Sequence, residues 1–562
     1  MKYLPLFCLL LYFGCRRVPG VDYEAQKSAT YPTAAVVGPH PLATRVGREV
    51  LARGGNAIDA AVAVQFAMAV VYPRAGNIGG GGFLVYRGSN GETLSLDYRE
   101  TAPSAASRDM YLDSAGNVTN GLSTRGHLAV GVPGTVAGIA AMHERLGSLP
   151  WADLLQPAID FARGGYRLSQ SEVDRIKRYH QDFVEFNDHT PFSDSTLGAG
   201  AQVKQPDLAA TLTRIQRQGR DGFYTGETAD LIVAEMERGG GLISAADLRS
   251  YEPKWKKPIT QDYGSYRLIS MPPSSSGGVA LAQMVAMVEP FPLEEYGFQS
   301  VRSVQVIAEA MRRAYADRAE YLGDSDFYPV PVDSLLDADY LRGRMSDFRT
   351  DTAGSSTNIL AGAVEMKENF ETTHISIVDA AGNAVSITTT LNGNFGSKVM
   401  VDGGGFFLNN EMDDFSAKPG VPNMFGLVGK EANAIQPGKR MLSSMTPTIV
   451  EKEGELFMVL GAPGGSTIIT AVLQTFLNVA DYGMTLPEAV AAPRFHHQWL
   501  PDEILYEADA LGGGVKDSLA ALGYRFREVN SMAVIKALLV LPDGTLQAAA
   551  DPRNPDDDVE GF

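Results

Sequence analysis

The sequence predicts an α/β layered fold, sheets covered by helices, and three observations carry the prediction. Helix-like and strand-like patterns alternate between residues 33 and 90. Helical patterns dominate from Pro150 to Arg238 and again from Ser300 to Tyr321. From Thr373 onward the period shifts to that of strands. The chain has 562 residues, 44% hydrophobic and 20% charged, enough for two ordinary domains or one large layered assembly with a sizeable core.

Taken in order, the amino terminus reads as an export signal. Lys2 precedes the apolar run Leu4 to Phe13, which is too short to span a bilayer as a stable helix. Cys15, after Gly14, resembles the cysteine that bacterial lipoproteins acylate; the alternative is an ordinary signal peptide cut somewhat later. Residues 1–20 are assigned to this signal, and the expected location is exported from a bacterial cell, periplasmic or membrane-anchored by lipid. Cys8 and Cys15 are the chain's two cysteines, so the body beyond the signal has neither disulfides nor cysteine metal ligands.

Pro41 to Arg53 reads as a helix ended by Gly54-Gly55. Ala57 to Val70 is an Ala/Val-rich helix, apolar nearly all round, and is expected to be buried. Gly79 to Gly82 form a loop before a strand at Phe83 to Tyr86. That loop lacks a phosphate-binding lysine and precedes its strand, so it reads as close backbone packing rather than a phosphate cradle. Asp351 to Asn358, rich in Ser, Thr and Gly, reads as an exposed linker. His496-His497 are adjacent and lack a third ligand at useful spacing, which favours a structural use over a metal. The net charge of −18, with no dense Lys/Arg patch, argues against a nucleic-acid partner.

One hairpin carries chemistry. Thr373 to Asp379 alternates, with Ile375 and Ile377 on one face and His374, Ser376 and Val378 on the other. Ala384 to Thr390 alternates likewise. Between them sit Ala380, Ala381 and Gly382, a hairpin loop whose last residue suits the left-handed region. With Gly382 in that role Asp379 pairs with Asn383, and counting outward sets Thr372 opposite Thr390, hydroxyl beside hydroxyl. A threonine hydroxyl needs a base and an orienting partner to act as a nucleophile. A free α-amine, with a pKa of about 7.7–8.0, would serve as the base if the chain were cut before Thr372. Downstream, a strand at Leu456 to Leu460 and a helix at Thr467 to Asp481 flank Gly464-Gly465. Unpaired N–H groups at a helix start favour negative charge, as an oxyanion needs.

The wider context resembles the γ-glutamyltransferase family. The resemblance rests on Glu371-Thr372-Thr373-His374, Thr390-Leu391-Asn392, Asn409 to Phe415, Leu442-Ser443-Ser444-Met445 and Ala462 to Ser466. It extends upstream through Gly54 to Ala61, Gly79 to Phe83, Arg99 to Pro103 and Val132 to Thr135, and downstream through Ala492 to Trp499. It covers essentially the whole chain beyond the signal, in order. The fold it implies is an N-terminal-nucleophile hydrolase, an αββα sandwich made of two subunits from one self-cleaved precursor. The large subunit would be residues 21–371 and the small catalytic subunit 372–562, held together as a heterodimer. Cleavage would fall between Glu371 and Thr372.

The resemblance also implies roles. Thr372 would be the nucleophile, Thr390 its partner, and Gly464 and Gly465 the oxyanion site. Arg99, Ser443 and Ser444 would hold the α-carboxylate of a γ-glutamyl substrate, and Asn392, Glu411 and Asp414 its ammonium. The substrates would be glutathione and other γ-glutamyl compounds, the acceptors water or amino acid and peptide amines, with no metal or organic cofactor. Of Asp413-Asp414, strand alternation would send one side chain to the site, and the family match selects Asp414. Phe425 stands where some members carry a tyrosine in a covering loop, so a gating hydroxyl is missing there. Two rival readings are an acylase of the same fold acting on another amide, such as a β-lactam side chain, and an inactive surface lipoprotein that binds peptides. The presence of Arg99, Asn392, Asp414, Ser443 and Ser444 together favours the γ-glutamyl group.

Overall fold

The computed structural model describes residues 23–358 and 372–562. The signal segment with Cys15, and Glu371 at the expected cleavage site, lie outside the described residues. Among the described residues two seven-stranded sheets dominate. The first runs Asp558–Gly561, Ala35–Gly38, Thr373–Val378, Ala384–Thr390, Gly81–Arg87, Thr93–Asp97, Lys254–Lys256. The second runs Ser28–Tyr31, Leu546–Ala550, Lys536–Val540, Glu455–Gly461, Thr448–Lys452, Tyr266–Ser270, Ile259–Tyr263. Neighbouring strands in both are antiparallel.

The sheets pack face to face and each is covered outside by helices, giving the αββα sandwich. Helices Pro41–Ala52, Ala57–Val71 and Thr135–Leu146 cover the first sheet. Helix Ala57–Val71 is buried along its whole length, as its all-round apolar pattern requires, and an Asn56/Asp59 capping box starts it. Helices Gly277–Val288 and Thr467–Ala480 lie on the second sheet, and the long helix Val301–Tyr321 packs on Gly277–Val288.

The predicted hairpin occupies the middle of the first sheet. Its register is Thr373 with Thr389 through Val378 with Ala384, and Gly382 is left-handed at φ 83°. The Asp379 N–H donates to Asn383 O at 3.1 Å, closing the loop in the expected way. Ile375, Ile377, Val385 and Ile387 join the core beneath helix Ala57–Val71. The hydroxyl-bearing face is equally buried, against the second sheet rather than water. Ser376 Oγ donates to Lys536 O at 3.1 Å, and Ser386 Oγ donates to Leu460 O at 3.0 Å while accepting from Thr448 N at 2.9 Å. The alternation thus separates an apolar layer from a hydrogen-bonded one, both interior.

Two local expectations change. The strand after the glycine run begins at Gly81, two residues earlier than read, because the glycines pair with the end of the hairpin: Gly81 with Thr390 and Gly82 with Thr389. A Cβ on Gly80 would lie 2.0 Å from Thr390 O, so that approach is open to glycine alone. The stretch read as an exposed linker is tied down near its end. Gly354 N donates to Glu309 Oε1 at 3.0 Å, and the buried Ser356 donates its N–H to Asp502 Oδ2 at 2.8 Å.

Candidate active site

Thr372 precedes the first residue of a central strand, and its Oγ1 faces Thr390 Oγ1 at 3.5 Å, the outer limit of a hydrogen bond. Thr390 Oγ1 also accepts from Asn392 N at 2.7 Å. That bond folds the chain sharply after the strand and holds Asn392 in the left-handed region at φ 70°, a conformation an asparagine tolerates. Asn392 Nδ2 then donates to Asn410 O at 3.0 Å.

Beneath Thr372, in the same side-chain row, His374 is wedged between the sheets. Its ring nitrogens meet Thr388 Oγ1 at 2.8 Å and Ser376 Oγ at 3.1 Å. A Cβ on Gly461 of the facing sheet would stand 2.3 Å from the His374 ring, so a glycine there is what admits the imidazole. Burial, with the Lys536 charge adding to it, pushes His374 well below the usual histidine range and keeps it neutral.

Gly464 and Gly465 follow strand Glu455–Gly461 and precede helix Thr467–Ala480. Both have positive φ, 147° and 53°. The Gly464 carbonyl accepts from Thr467 N at 3.0 Å and Thr467 Oγ1 at 2.8 Å, which fixes the turn. The N–H groups of Gly464 and Gly465 donate to no partner among the described residues, and Gly465 lines the same cavity as Thr372. Tyr315 caps the Ser466 carbonyl from helix Val301–Tyr321.

That cavity is partly open to solvent, and its polar lining gathers Arg99, Thr390, Asn392, Glu411, Asp414, Ser443 and Ser444 around Thr372. Arg99 is 1% exposed, with Nη1 2.7 Å from Glu411 Oε2 and Nη2 2.5 Å from Asp414 Oδ2. Glu100 Oε2 lies 3.6 Å from Nη1. Burial opposes the Arg99 charge, but Glu411, Asp414 and Glu100 outweigh it and hold the guanidinium above its ordinary value. Burial in turn pushes Glu411, Glu100 and Asp414 upward against the pull of Arg99. The groups assigned to opposite ends of a substrate are therefore paired with each other here. A zwitterion of matching polarity can insert between them without leaving either charge alone.

Asp414 lines the cavity and Asp413 does not, yet the reason differs from strand alternation. Glu411–Asp414 is a 3-10 turn, and Asp413 turns away to accept from Ser123 Oγ at 2.6 Å and Met424 N at 2.9 Å. The turn is placed by buried asparagines: Asn409 bonds Gly79 O and Gly131 O, and Asn410 bonds Gly393 N and Thr124 O. Long-range bonds of this kind leave no periodic trace. The covering loop behaves similarly. Phe425 lies over Gly465, and Asn423 Nδ2 donates to Asp414 Oδ1 at 3.0 Å. His496 and His497 are buried and bonded to Thr470, Gln498, Trp499 N and Asp502.

Three groups that touch the site's support were not singled out from the sequence: Asn423, Ser276 and Arg318. Arg318 had a usable signal. It continues the buried stripe Val304, Ile307, Met311, Tyr315 at spacings of three and four, where a charge is rare.

The αββα sandwich, with a threonine at the head of a central strand, is the architecture of the N-terminal-nucleophile hydrolases. Residues 43–560 match the sequence profile described as Gamma-glutamyltranspeptidase, so the chain belongs to the γ-glutamyltranspeptidase family. It is 44% identical over 552 residues to the glutathione hydrolase proenzyme of Escherichia coli strain K12, covering 97% of this chain and 95% of that one. It is 49% identical over 514 residues to the glutathione hydrolase proenzyme of Pseudomonas sp. strain A14, covering 90% and 88%. Among solved structures, the cephalosporin acylase from Bacillus halodurans superposes with a TM-score of 0.83 at 26% identity, covering 98% of this chain and 99% of that one.

Proposed function

We propose that this chain is a self-processing γ-glutamyltransferase that cleaves the γ-glutamyl amide of glutathione and related compounds. The observation that carries the reading is the convergence on one cavity of Thr372, Gly465 at the strand-to-helix turn, and charges of both signs on Arg99, Glu411 and Asp414.

In the precursor, Thr372 Oγ attacks the Glu371 carbonyl, the C–N bond breaks, and water hydrolyses the resulting ester. The products are a Glu371 carboxylate and a free Thr372 α-amine. In turnover the amine takes the hydroxyl proton as Oγ attacks the γ-carbonyl. The Gly464 and Gly465 N–H groups meet the oxyanion of the tetrahedral intermediate. The leaving amine takes the proton and departs, leaving the γ-glutamyl group as an ester on Thr372. Water or an amino acid or peptide amine then releases it.

Residues 21–371 form the large subunit in this reading and 372–562 the small one. The amino-terminal segment directs export, and the protein is either periplasmic, with residues 1–20 removed, or held to a bacterial membrane by lipid, with Cys15 kept and acylated. Support for both comes from the signal-like amino terminus alone.

The test is a Thr372→Ala protein run beside wild type on a denaturing gel and assayed with glutathione. Wild type gives two bands and releases glutamate; Thr372→Ala stays a single uncut chain and is inactive. A Thr372→Ala protein that still splits and turns over would sink the reading. Wild type that splits and acts only on a β-lactam side-chain amide would shift it to the acylase alternative.

A further inference from the structure

Arg318 stands on helix Val301–Tyr321, 5% exposed and outside the cavity lining. Among the described residues no carboxylate lies within 4.0 Å of its guanidinium. A buried cation with no acid in contact is costly to keep, and the acid whose charge acts on Arg318, Asp414, stands beyond contact distance on the cavity wall. Instead its nitrogens go to two hydroxyls. Nε donates to Ser276 Oγ at 3.0 Å, and Nη2 donates to Ser444 Oγ at 3.2 Å.

The direction of these bonds matters. Guanidinium N–H groups only donate, so Ser444 Oγ accepts from Arg318 and its own proton is free to point elsewhere. Ser444 lines the cavity that holds Thr372. Ser443 is set the same way, because Met445 N donates to Ser443 Oγ at 3.1 Å. Ser276 passes the effect along the backbone: its Oγ accepts from Arg318 and donates to Ser443 O at 2.6 Å. Both serines thereby accept from within the protein and keep a hydroxyl proton available to a ligand, and Ser444 is polarised by a full positive charge.

Arg99 meanwhile is shared with Glu411 and Asp414. An incoming carboxylate therefore gains from positive potential supplied by a second source. We propose that Arg318 is the positioning residue that makes the Ser443-Ser444 subsite select an anion, so that the enzyme discriminates for the α-carboxylate of its substrate through an Arg318–Ser444 relay. This rests on the γ-glutamyl reading and adds to it the group that enforces the carboxylate requirement.

The experiment compares wild type, Arg318→Gln and Arg318→Lys on two chromogenic amides: γ-glutamyl-p-nitroanilide and 4-aminobutanoyl-p-nitroanilide, which lacks only the α-carboxylate. Losing a charge-assisted bond to the carboxylate donor should raise KM for the γ-glutamyl amide about tenfold or more in Arg318→Gln, with kcat changed far less. The amide without the carboxylate should keep its kcat/KM within about twofold, so the preference between the two collapses by the same factor. Arg318→Lys should fall between. If both substrates lose equally, or neither loses, Arg318 only supports the fold and the proposal is overturned. If Arg318→Gln fails to split into two chains, Arg318→Lys decides by the same criterion. Wild type that turns over neither amide, or both equally, refutes the γ-glutamyl reading and this inference with it.

Discussion

Replacing Thr390 with valine probes the core of the site without changing its shape. Valine is nearly isosteric with threonine but cannot hydrogen-bond. Thr390 Oγ1 accepts from the buried Asn392 N–H at 2.7 Å and faces Thr372 Oγ1 at 3.5 Å. Both bonds are lost together. The Asn392 N–H is left unpaired in the interior, which costs about 1–3 kcal/mol. Asn392 is held left-handed at φ 70° by that same bond, so the turn that presents its amide to the cavity loosens. If most of that energy is needed to place Thr372 and Asn392 in the transition state, the rate falls roughly 10- to 100-fold. The assays are the time course of precursor splitting on a denaturing gel and initial rates of γ-glutamyl anilide cleavage on the split enzyme. Thr390→Ser serves as the contrast, since it keeps the hydroxyl and loses a methyl group. The reasoning predicts that serine stays near wild type and valine does not. A Thr390→Val protein that splits and turns over within twofold of wild type would refute it.

Gly461→Ala should lower the apparent melting temperature, by a cost of about 1–3 kcal/mol for overpacking, and slow splitting, because its Cβ would press on a His374 ring already held by Thr388 and Ser376. Unchanged melting would show that the sheets part freely there. Glu172 tests pH dependence: burial, with Asp556 adding to it, pushes its carboxyl up to about 8, and His40, 3.9 Å away, is pushed down to about 4 and offers no charge. The folded state thus binds the Glu172 proton more tightly than the unfolded state, so this stability is present below the ordinary carboxylate value of about 4.3 and is lost as pH rises toward 8. Glu172→Gln should therefore gain on wild type by up to about 1.4 kcal/mol per pH unit across that window, and parallel melting curves from pH 5 to 8 would contradict it.

What the sequence revealed about this molecule follows the range of the interactions involved. The hairpin register was legible because it is local: one glycine in a left-handed position sets the loop, and counting does the rest, down to Thr372 opposite Thr390. The buried helix Ala57–Val71 was legible because an all-round apolar face admits one environment. The strand-to-helix turn at Gly464-Gly465 was legible because its flanking periods differ. The turn at Glu411–Asp414 was misread as extended, since its shape is imposed by bonds to Gly79, Gly131 and Thr124, hundreds of residues upstream. The pairing of Arg99 with Glu411 and Asp414 was equally invisible, because spacing along the chain says nothing of charge across it.

The same distinction explains how the site combines precision with an open polar cavity. Thr372 and Thr390 sit on a hairpin, where a local rule fixes their register. The other polar groups of the cavity come from separate segments, at Arg99, Asn392 to Asp414, and Ser443-Ser444, and depend on the closure of the whole sandwich. A hydroxyl attack is sensitive to small errors in position, whereas a buried ion-pair cluster can re-pair with an incoming zwitterion. Disturbing the hairpin should therefore strike both self-cleavage and turnover. Disturbing the cluster, or the Arg318 relay behind it, should strike substrate choice while the chain still cuts itself, because the scissile bond before Thr372 carries no free α-carboxylate or α-ammonium for that cluster to read.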